Sequence, residues 1–350
     1  MGVFRFERAS VPYRTYSGHG FLMKLLMLGG TEFVGRAVTE GALTRGWEVT
    51  VFHRGRHEPP GGVRALHGDR TAEGGLEALE GGKWDAVVDT WSGAPSAVRD
   101  AARLLAGRAE RYAYISSRSV YRFPAPAGSN EDAPVVDGSP DDDEGADYAE
   151  AKRGGELASV DAFGDRALLV RAGLILGPYE NIGRLPWWLT RIAQGGDVLA
   201  PGPPDAGLQY IDARDLAAWT LDAIEKGLGG PFDLVSSPAH TTMRGLLEAC
   251  IQVTGSNAQL VWTSPERILE AGIQPWTDLP IWLPPGEAYS MMHRSNVTKA
   301  LSAGLRCRPV QETVADTWEW LQSIGGKAPQ RPDRPVVGLP SVKEAEVLDD

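Results

Sequence analysis

The hydrophobic pattern switches between two periods from residue 24 onward. Residues 24–28, Lys-Leu-Leu-Met-Leu, form a short apolar run ended by Gly29-Gly30, which reads as a buried strand. Phe33, Val34, Ala37, Val38, Ala42 and Leu43 then recur at helical spacing and make one apolar stripe, which Gly46 stops. Residues 48–52 read as a second strand, so the chain opens with a strand–helix–strand unit built for a parallel sheet. Further strands are expected at 63–66, 86–88, 112–115 and 168–170, with helices at 97–105 and from about Tyr148. This alternation, sustained from residue 23 to about 177, predicts an α/β fold with a doubly wound parallel sheet.

After Gly177-Pro178 the pattern loosens. Eight of the eleven tryptophans lie in this half, and helical stretches at 243–253 and 313–324 alternate with loops. Residues 178–325 are therefore expected to form mainly a smaller C-terminal lobe that closes over a site, with some segments returning to the sheet domain. The tryptophans are read as core, because their large apolar area mostly serves packing. Residues 326–350, with their prolines and charges, are expected to be a surface tail. Residues 1–22 are charged and lack a continuous apolar stretch. They are expected to be a disordered extension, or to precede a natural start at Met23. Residues 125–147 form an acidic loop around Asp141-Asp142-Asp143-Glu144, a solvated stretch whose place just before Tyr148 makes it a candidate flap.

Composition narrows the class. Of 350 residues, 42% are hydrophobic and 23% charged, within the range of soluble globular proteins. A formal net charge of -11 argues against nucleic acid or anionic lipid as a partner. Cys250 and Cys307 are too few for a disulfide framework, so a reducing, cytoplasmic setting is expected. The six histidines show no metal-ligand pattern and no metal is expected. No run is long and apolar enough to span a bilayer. A homodimer is left open.

The chemistry concentrates at strand ends. Gly29-Gly30-Thr31-Glu32-Phe33-Val34-Gly35 sits between the first strand and its helix, where glycines let the backbone approach a pyrophosphate at the helix N-terminus. Phe52-His53-Arg54-Gly55-Arg56, at the end of the second strand, has no acid to hold a ribose 2′-hydroxyl. Its arginines suit a 2′-phosphate, which favours NADP over NAD. Tyr148 and Lys152, four residues apart, share one face of a helix, and no other tyrosine has a lysine at that spacing. Ser117, at the end of the fifth strand, can hydrogen-bond a substrate carbonyl or alcohol while a tyrosine moves the proton. Each of these features also has a purely structural reading: a strand-end turn, a solvated turn or an ordinary helix face.

Together these segments resemble the NAD-dependent epimerase/dehydratase family, the extended short-chain dehydrogenases. The order is the glycine loop, Ser116-Ser117-Arg118-Ser119-Val120-Tyr121, Tyr148-x-x-x-Lys152, the segment 171–178 and the segment 209–216. The resemblance covers roughly residues 23–325, and its glycine loop is similar to a branch that includes actinobacterial reductases. It implies a Rossmann domain over 23–177 and hydride transfer between a nicotinamide and a secondary alcohol or ketone of a small molecule. The alternatives are an epimerase or dehydratase of a nucleotide-linked or nucleoside sugar with tightly held NAD, and a non-catalytic dinucleotide sensor or RNA-binding protein. By position, Ser117 would polarise the substrate oxygen, Tyr148 would be the acid/base, and Lys152 would favour the tyrosinate and hold the nicotinamide ribose. Gly29, Thr31, Glu32, Phe33, Val34, Gly35, Arg54, Asp69, Arg70, Thr90, Trp91, Ser116, Ala172, Gly173 and Leu174 would line the dinucleotide. Ser119, Tyr121, Asn181, Trp187 and Gln209 would face the substrate. Two departures stand out. Glu32 takes the place of the family loop's middle glycine, and Arg118-Ser119 stands where sugar 4,6-dehydratases carry Asp-Glu.

Overall fold

The computed structural model describes residues 22–143, 146–327 and 330–349. The extension expected over residues 1–22 therefore lies, but for Leu22, outside the described residues.

The apolar runs become strands β1 (Lys24–Leu28), β2 (Glu48–His53), β3 (Arg64–His67), β4 (Trp84–Asp89), β5 (Ala109–Ser117) and β6 (Ala167–Ala172). With the strand Gly230–Leu234 they make a seven-stranded parallel sheet, in the spatial order Gly230–Leu234, β6, β5, β4, β1, β2, β3. Both faces are covered, which is why the central strands read as continuous apolar runs. Helices α1 (Phe33–Thr44) and Ala213–Glu225 contribute Val38, Ala42, Leu216 and Leu221 to the core on one face. Helices α2 (Pro95–Leu105) and α3 (Tyr148–Phe163) contribute Val98, Ala101, Ala158 and Phe163 to the other. The strand order reverses between β1 and β4, and ligands of such sheets bind in the crevice outside the carboxyl ends of the strands at that point. The glycine loop after β1 and Thr90-Trp91 after β4 both open into it.

The second core gathers Trp188, Leu189 and Ile192 of α4 (Arg184–Ala193) with Leu246, Cys250, Val314 and Leu321. The strands Asp197–Pro201 and Gln259–Thr263 pair beside it. Trp188, Trp219, Trp282 and Trp320 are all buried, so these four are packing residues.

Part of the segment expected as a surface tail packs instead. Val337, Leu339 and Val347 are buried, and the helix Ser341–Asp349 brings Glu344 into the lobe. The Glu344 carboxylate accepts from Arg191 Nε at 2.6 Å and from the Leu199 N–H at 3.0 Å. Composition hides this helix because its principal anchor is an acid. The acidic loop is also tied down where it is described. Arg99 pairs with Asp141 at 2.7 Å, the Ser96 N–H donates to Asp142 O, and the Gly128 N–H donates to Arg294 O.

Candidate active site

The glycine loop leaves the end of β1 with Gly29 at φ +109° and Gly30 at φ +88°, a backbone region other residues rarely adopt. A Cβ on Gly35 would sit 2.6 Å from the Gly30 nitrogen, so a bare backbone is what lets α1 start this close to the strand. Phe33 carries positive φ as well, +35°, a strained value for a bulky side chain. The first turn of α1 holds no acid, and no side chain caps its N–H groups. Bare backbone plus uncapped donors fits a dinucleotide pyrophosphate. Thr31 and Val34 complete this loop and the first turn of α1. Glu32, the N-cap residue, turns its carboxylate outward, accepting from Asn181 Nδ2 at 3.3 Å with His57 Nε2 at 3.8 Å.

At the end of β2, His53 takes the place of an acid. Its Nδ1 accepts from the Gly55 N–H at 3.2 Å, and burial lowers the pKa of its imidazole, with His67 acting in the same direction. Arg54 and Arg56 are exposed. Asp69, after β3, is held below the usual carboxylate range by hydrogen bonds from Thr71, with smaller help from Arg54 and Arg56. Thr90 donates to Leu28 O, bridging β4 to β1 at the floor of the crevice. Gly173 hydrogen-bonds Leu234 O, and Ala172 and Leu174 on either side are buried at the end of β6.

Helix α3 is aimed by its own first residues. The Asp147 carboxylate accepts from the Glu150 N–H at 2.8 Å, a cap worth about 1 kcal/mol, so the helix begins at Tyr148. Tyr148 is 39% exposed at that end. It lines a pocket of about 260 Å³ with Ser92, Gly93, Pro95, Ala151 and Arg334. One turn further, Lys152 is buried. Its ammonium donates to Trp91 O and Ile115 O, both at 2.7 Å, and lies over the Tyr114 ring. Burial pulls its pKa down to about 7, against the opposing pull of Asp89 and Glu156. Gly155, one turn on again, rests against the Tyr114 phenol, where any side chain would collide. That close approach sets α3 on β5. Ser117 ends β5 two residues beyond Ile115, donating to Ser119 Oγ at 3.1 Å while accepting from the Ser119 N–H. Ser117 thus ends β5, Tyr148 opens α3, and Lys152, one turn along α3, is tied to β5 through Ile115 O, with Ser119 exposed after the strand end.

Several expected ligand contacts have other work. Arg70 turns inward, pairing with Asp89 through two bonds of 2.7 and 2.8 Å and donating to Ala97 O. Burial alone would raise the Asp89 pKa, but Arg70 outweighs it, and Tyr112 and the Trp91 N–H also donate to this carboxylate. Arg70 thereby supports Trp91 from beneath, 5.1 Å from its ring, instead of reaching toward a dinucleotide. Ser116 donates to Glu156, which also pairs with Arg171. Tyr121 is buried between Asp233 and Arg171, and Gln209 spends its amide on Ser236 and Ser295. The polar groups of both are taken up by partners within the protein. Trp187 packs on Trp188 and lines a separate pocket with Lys327 and Val336. Arg118 is buried against Asp233 and the carbonyls of Met291 and Met292. The residue standing at the dehydratase Asp position is thus structural. Among the substrate-side candidates, Ser119 and Asn181 remain near the crevice.

Sequence reasoning missed one contributor. Arg334 lies over the Tyr148 ring at 5.2 Å, carried there by the segment after residue 330, whose Arg331 N–H donates to Asn181 O. No local pattern announces a contact between residues so far apart in the chain.

A model of the NAD dependent epimerase/dehydratase family matches residues 25–233. No curated protein sequence matches the chain. Among solved structures, the Bordetella bronchiseptica enzyme WbmH in complex with NAD+ is similar at 16% identity, covering 87% of this chain and 100% of its own, with a TM-score of 0.65. WbmG of the same organism, in complex with NAD and UDP, matches at 16% identity over 91% of this chain and 99% of its own, TM-score 0.61. The UDP-glucose 4-epimerase of Thermus thermophilus, in complex with NAD, matches at 19% identity over 86% and 99%, TM-score 0.59. These likenesses reproduce the doubly wound fold, and the family match spans more than half of the sequence. The chain belongs to the NAD-dependent epimerase/dehydratase family of enzymes.

Proposed function

We propose that the protein transfers hydride between a nicotinamide dinucleotide and a secondary alcohol or ketone, with Tyr148 exchanging the proton at the substrate oxygen. The observation that carries this reading is Tyr148 at the open start of α3, with Lys152 buried one turn beneath it and Ser117 at the adjacent strand end. When bound, the nicotinamide supplies or accepts the hydride. The chain's own groups do the rest. Ser117 Oγ–H orients and polarises the substrate oxygen. Tyr148 Oη donates its proton to that oxygen in the reducing direction and takes it back in the oxidising one. Lys152, held by two carbonyls, presents a positive charge beneath the phenol and within reach of a ribose. The turn after Trp91 and the side chain of Arg334 line the pocket beside Tyr148.

The dinucleotide would lie along the loop 29–35, over Thr90 and Trp91, and against residues 172–174. NADP(H) suits the end of β2, because His53 replaces the acid and exposed Arg54 and Arg56 offer charge to a 2′-phosphate. The solved neighbours hold NAD, so titration decides. NADPH should bind more tightly than NADH, and Arg54→Ala should narrow the difference by about 1–3 kcal/mol. Equal affinities in the wild type would sink the preference. A second reading, epimerisation of a nucleotide-linked sugar, draws on the neighbours' names. Against it, Arg191 and Arg214, two arginines otherwise suited to clamp a diphosphate, are occupied by Glu344, Asp212 and Asp316. Mass spectrometry of what the purified protein releases on denaturation separates the readings: retained NAD favours epimerisation, whereas a freely exchanging dinucleotide favours net oxidoreduction.

A further inference from the structure

Of the three arginines Arg191, Arg214 and Arg184, the first two are neutralised by carboxylates. The third, Arg184 at the start of α4, is different. Its Nε is buried and has no hydrogen-bond partner among the described residues. Its guanidinium lies over the Trp276 ring at 5.1 Å, near enough to Glu180, Tyr148 and Arg334 for all three charges to act on it, Glu180 most strongly. The nearest acid, Glu180, is fully buried and accepts from the N–H groups of Arg184 and Leu185, at 2.7 and 3.2 Å. Arg334 adds a second guanidinium over Tyr148 and pairs with no carboxylate among the described residues, whereas its neighbour Arg331 is matched by Asp333. Arg334 therefore lies over the proposed acid/base unmatched by a described carboxylate, and Arg184, only partly offset by Glu180, lies within electrostatic reach of both. A desolvated donor without an acceptor is costly, and like charges held close repel, so a negative group between them would relieve both.

Building on the reading of Tyr148 as the proton-transfer group, we propose that Arg184 and Arg334 bind an anionic group of the substrate next to its reacting carbon. That group is a carboxylate or a phosphate. Arg334 lies only 5.2 Å from the Tyr148 ring, and the pocket they share holds about 260 Å³. A group gripped there is separated from the reacting oxygen by a very few atoms. The substrate class is then a small hydroxy or oxo acid, or a hydroxy or oxo phosphate ester. A nucleotide sugar would carry its charge further from the reacting carbon. Planar guanidinium donors suit either oxyanion through paired hydrogen bonds.

The test uses the full chain loaded with dinucleotide and matched probes: acetoacetate against methyl acetoacetate, dihydroxyacetone phosphate against dihydroxyacetone, and UDP-glucose. Calorimetry should show at least one charged probe binding about tenfold or more tighter than its neutral partner, the scale of one charge-assisted hydrogen bond. The first pair reports a carboxylate, the second a phosphate. Arg334→Gln and Arg184→Gln should each bring the preference toward unity, and Arg334→Lys should restore part of it. Equal binding of charged and neutral partners, no binding by any of the four small probes, or a preference unchanged in both Gln variants overturns the proposal. So does UDP-glucose binding that Arg334→Gln leaves untouched. The outcome is separable from that of the Tyr148 assignment, because Tyr148→Phe should lower turnover by about 10²–10⁴-fold while preserving the charged-to-neutral binding ratio.

Discussion

At the scale of single residues, burial and charge pull against each other around the crevice. Glu180 shows the balance most clearly. Burial raises its pKa to about 7, although Arg184 and two backbone N–H groups favour the carboxylate. Between about 4.5, the ordinary value, and about 7, the folded chain keeps a proton that the unfolded chain has released. The stability this contributes is full below about 4.5 and is lost as pH rises through about 7. Glu180→Gln removes the titration while keeping an acceptor for the α4 N–H groups. The variant should therefore gain on the wild type between about pH 5 and about pH 8 by about 1–3 kcal/mol. Melts of both proteins across that interval check it, and parallel profiles would contradict it. Glu32 is the complementary case, an exposed carboxylate beside the proposed pyrophosphate site. Glu32→Gly removes a like charge and should tighten dinucleotide binding. Unchanged or weaker binding would show that its contacts to Asn181 and His57 matter more.

Individual elements carry the geometry that single residues cannot. The turn from β1 into α1 depends on a missing side chain, so Gly35→Ala should weaken dinucleotide binding severely and destabilise the fold by about 1–3 kcal/mol, the cost of overpacking. Cofactor titration together with a thermal melt would reveal a harmless substitution, which would contradict the close packing at Gly30. This element was legible in the sequence because parallel strands buried on both faces are continuous apolar runs and their helices are amphipathic. The strand Gly230–Leu234 was not, since Pro231 and Asp233 break the apolar run at the sheet edge. The C-terminal helix was hidden because one of its two buried residues, Glu344, is an acid held by Arg191. Ser117, Tyr148 and Lys152 are proposed from order and spacing, which place them at a strand end and on one helix face. Tyr121 and Gln209 were misread, because nothing local distinguishes a polar side chain that faces a ligand from one sealed in a hydrogen-bonded network. Arg334 was invisible, since only the folded chain brings it to Tyr148.

Across the whole molecule, charge is distributed unevenly in a way that fits the account. The chain carries a formal net charge of -11, yet Arg334 lies over the Tyr148 ring and Lys152 is buried one turn along the same helix. The sheet domain supplies the loop and strand ends proposed to hold the dinucleotide. The segment after residue 330 carries Arg334 to Tyr148, and with Arg184 of α4 it supplies the cations proposed to meet the substrate. Among the described residues no helix is long and apolar enough to cross a membrane. The claim that unites these parts is that Tyr148 moves the proton at the substrate oxygen. Tyr148→Phe removes one oxygen and leaves the ring under Arg334, so the fold and dinucleotide affinity should persist. With a substrate in hand, its turnover should fall by about 10²–10⁴-fold relative to wild type. Turnover within a few-fold of wild type would place the proton transfer elsewhere and contradict the account.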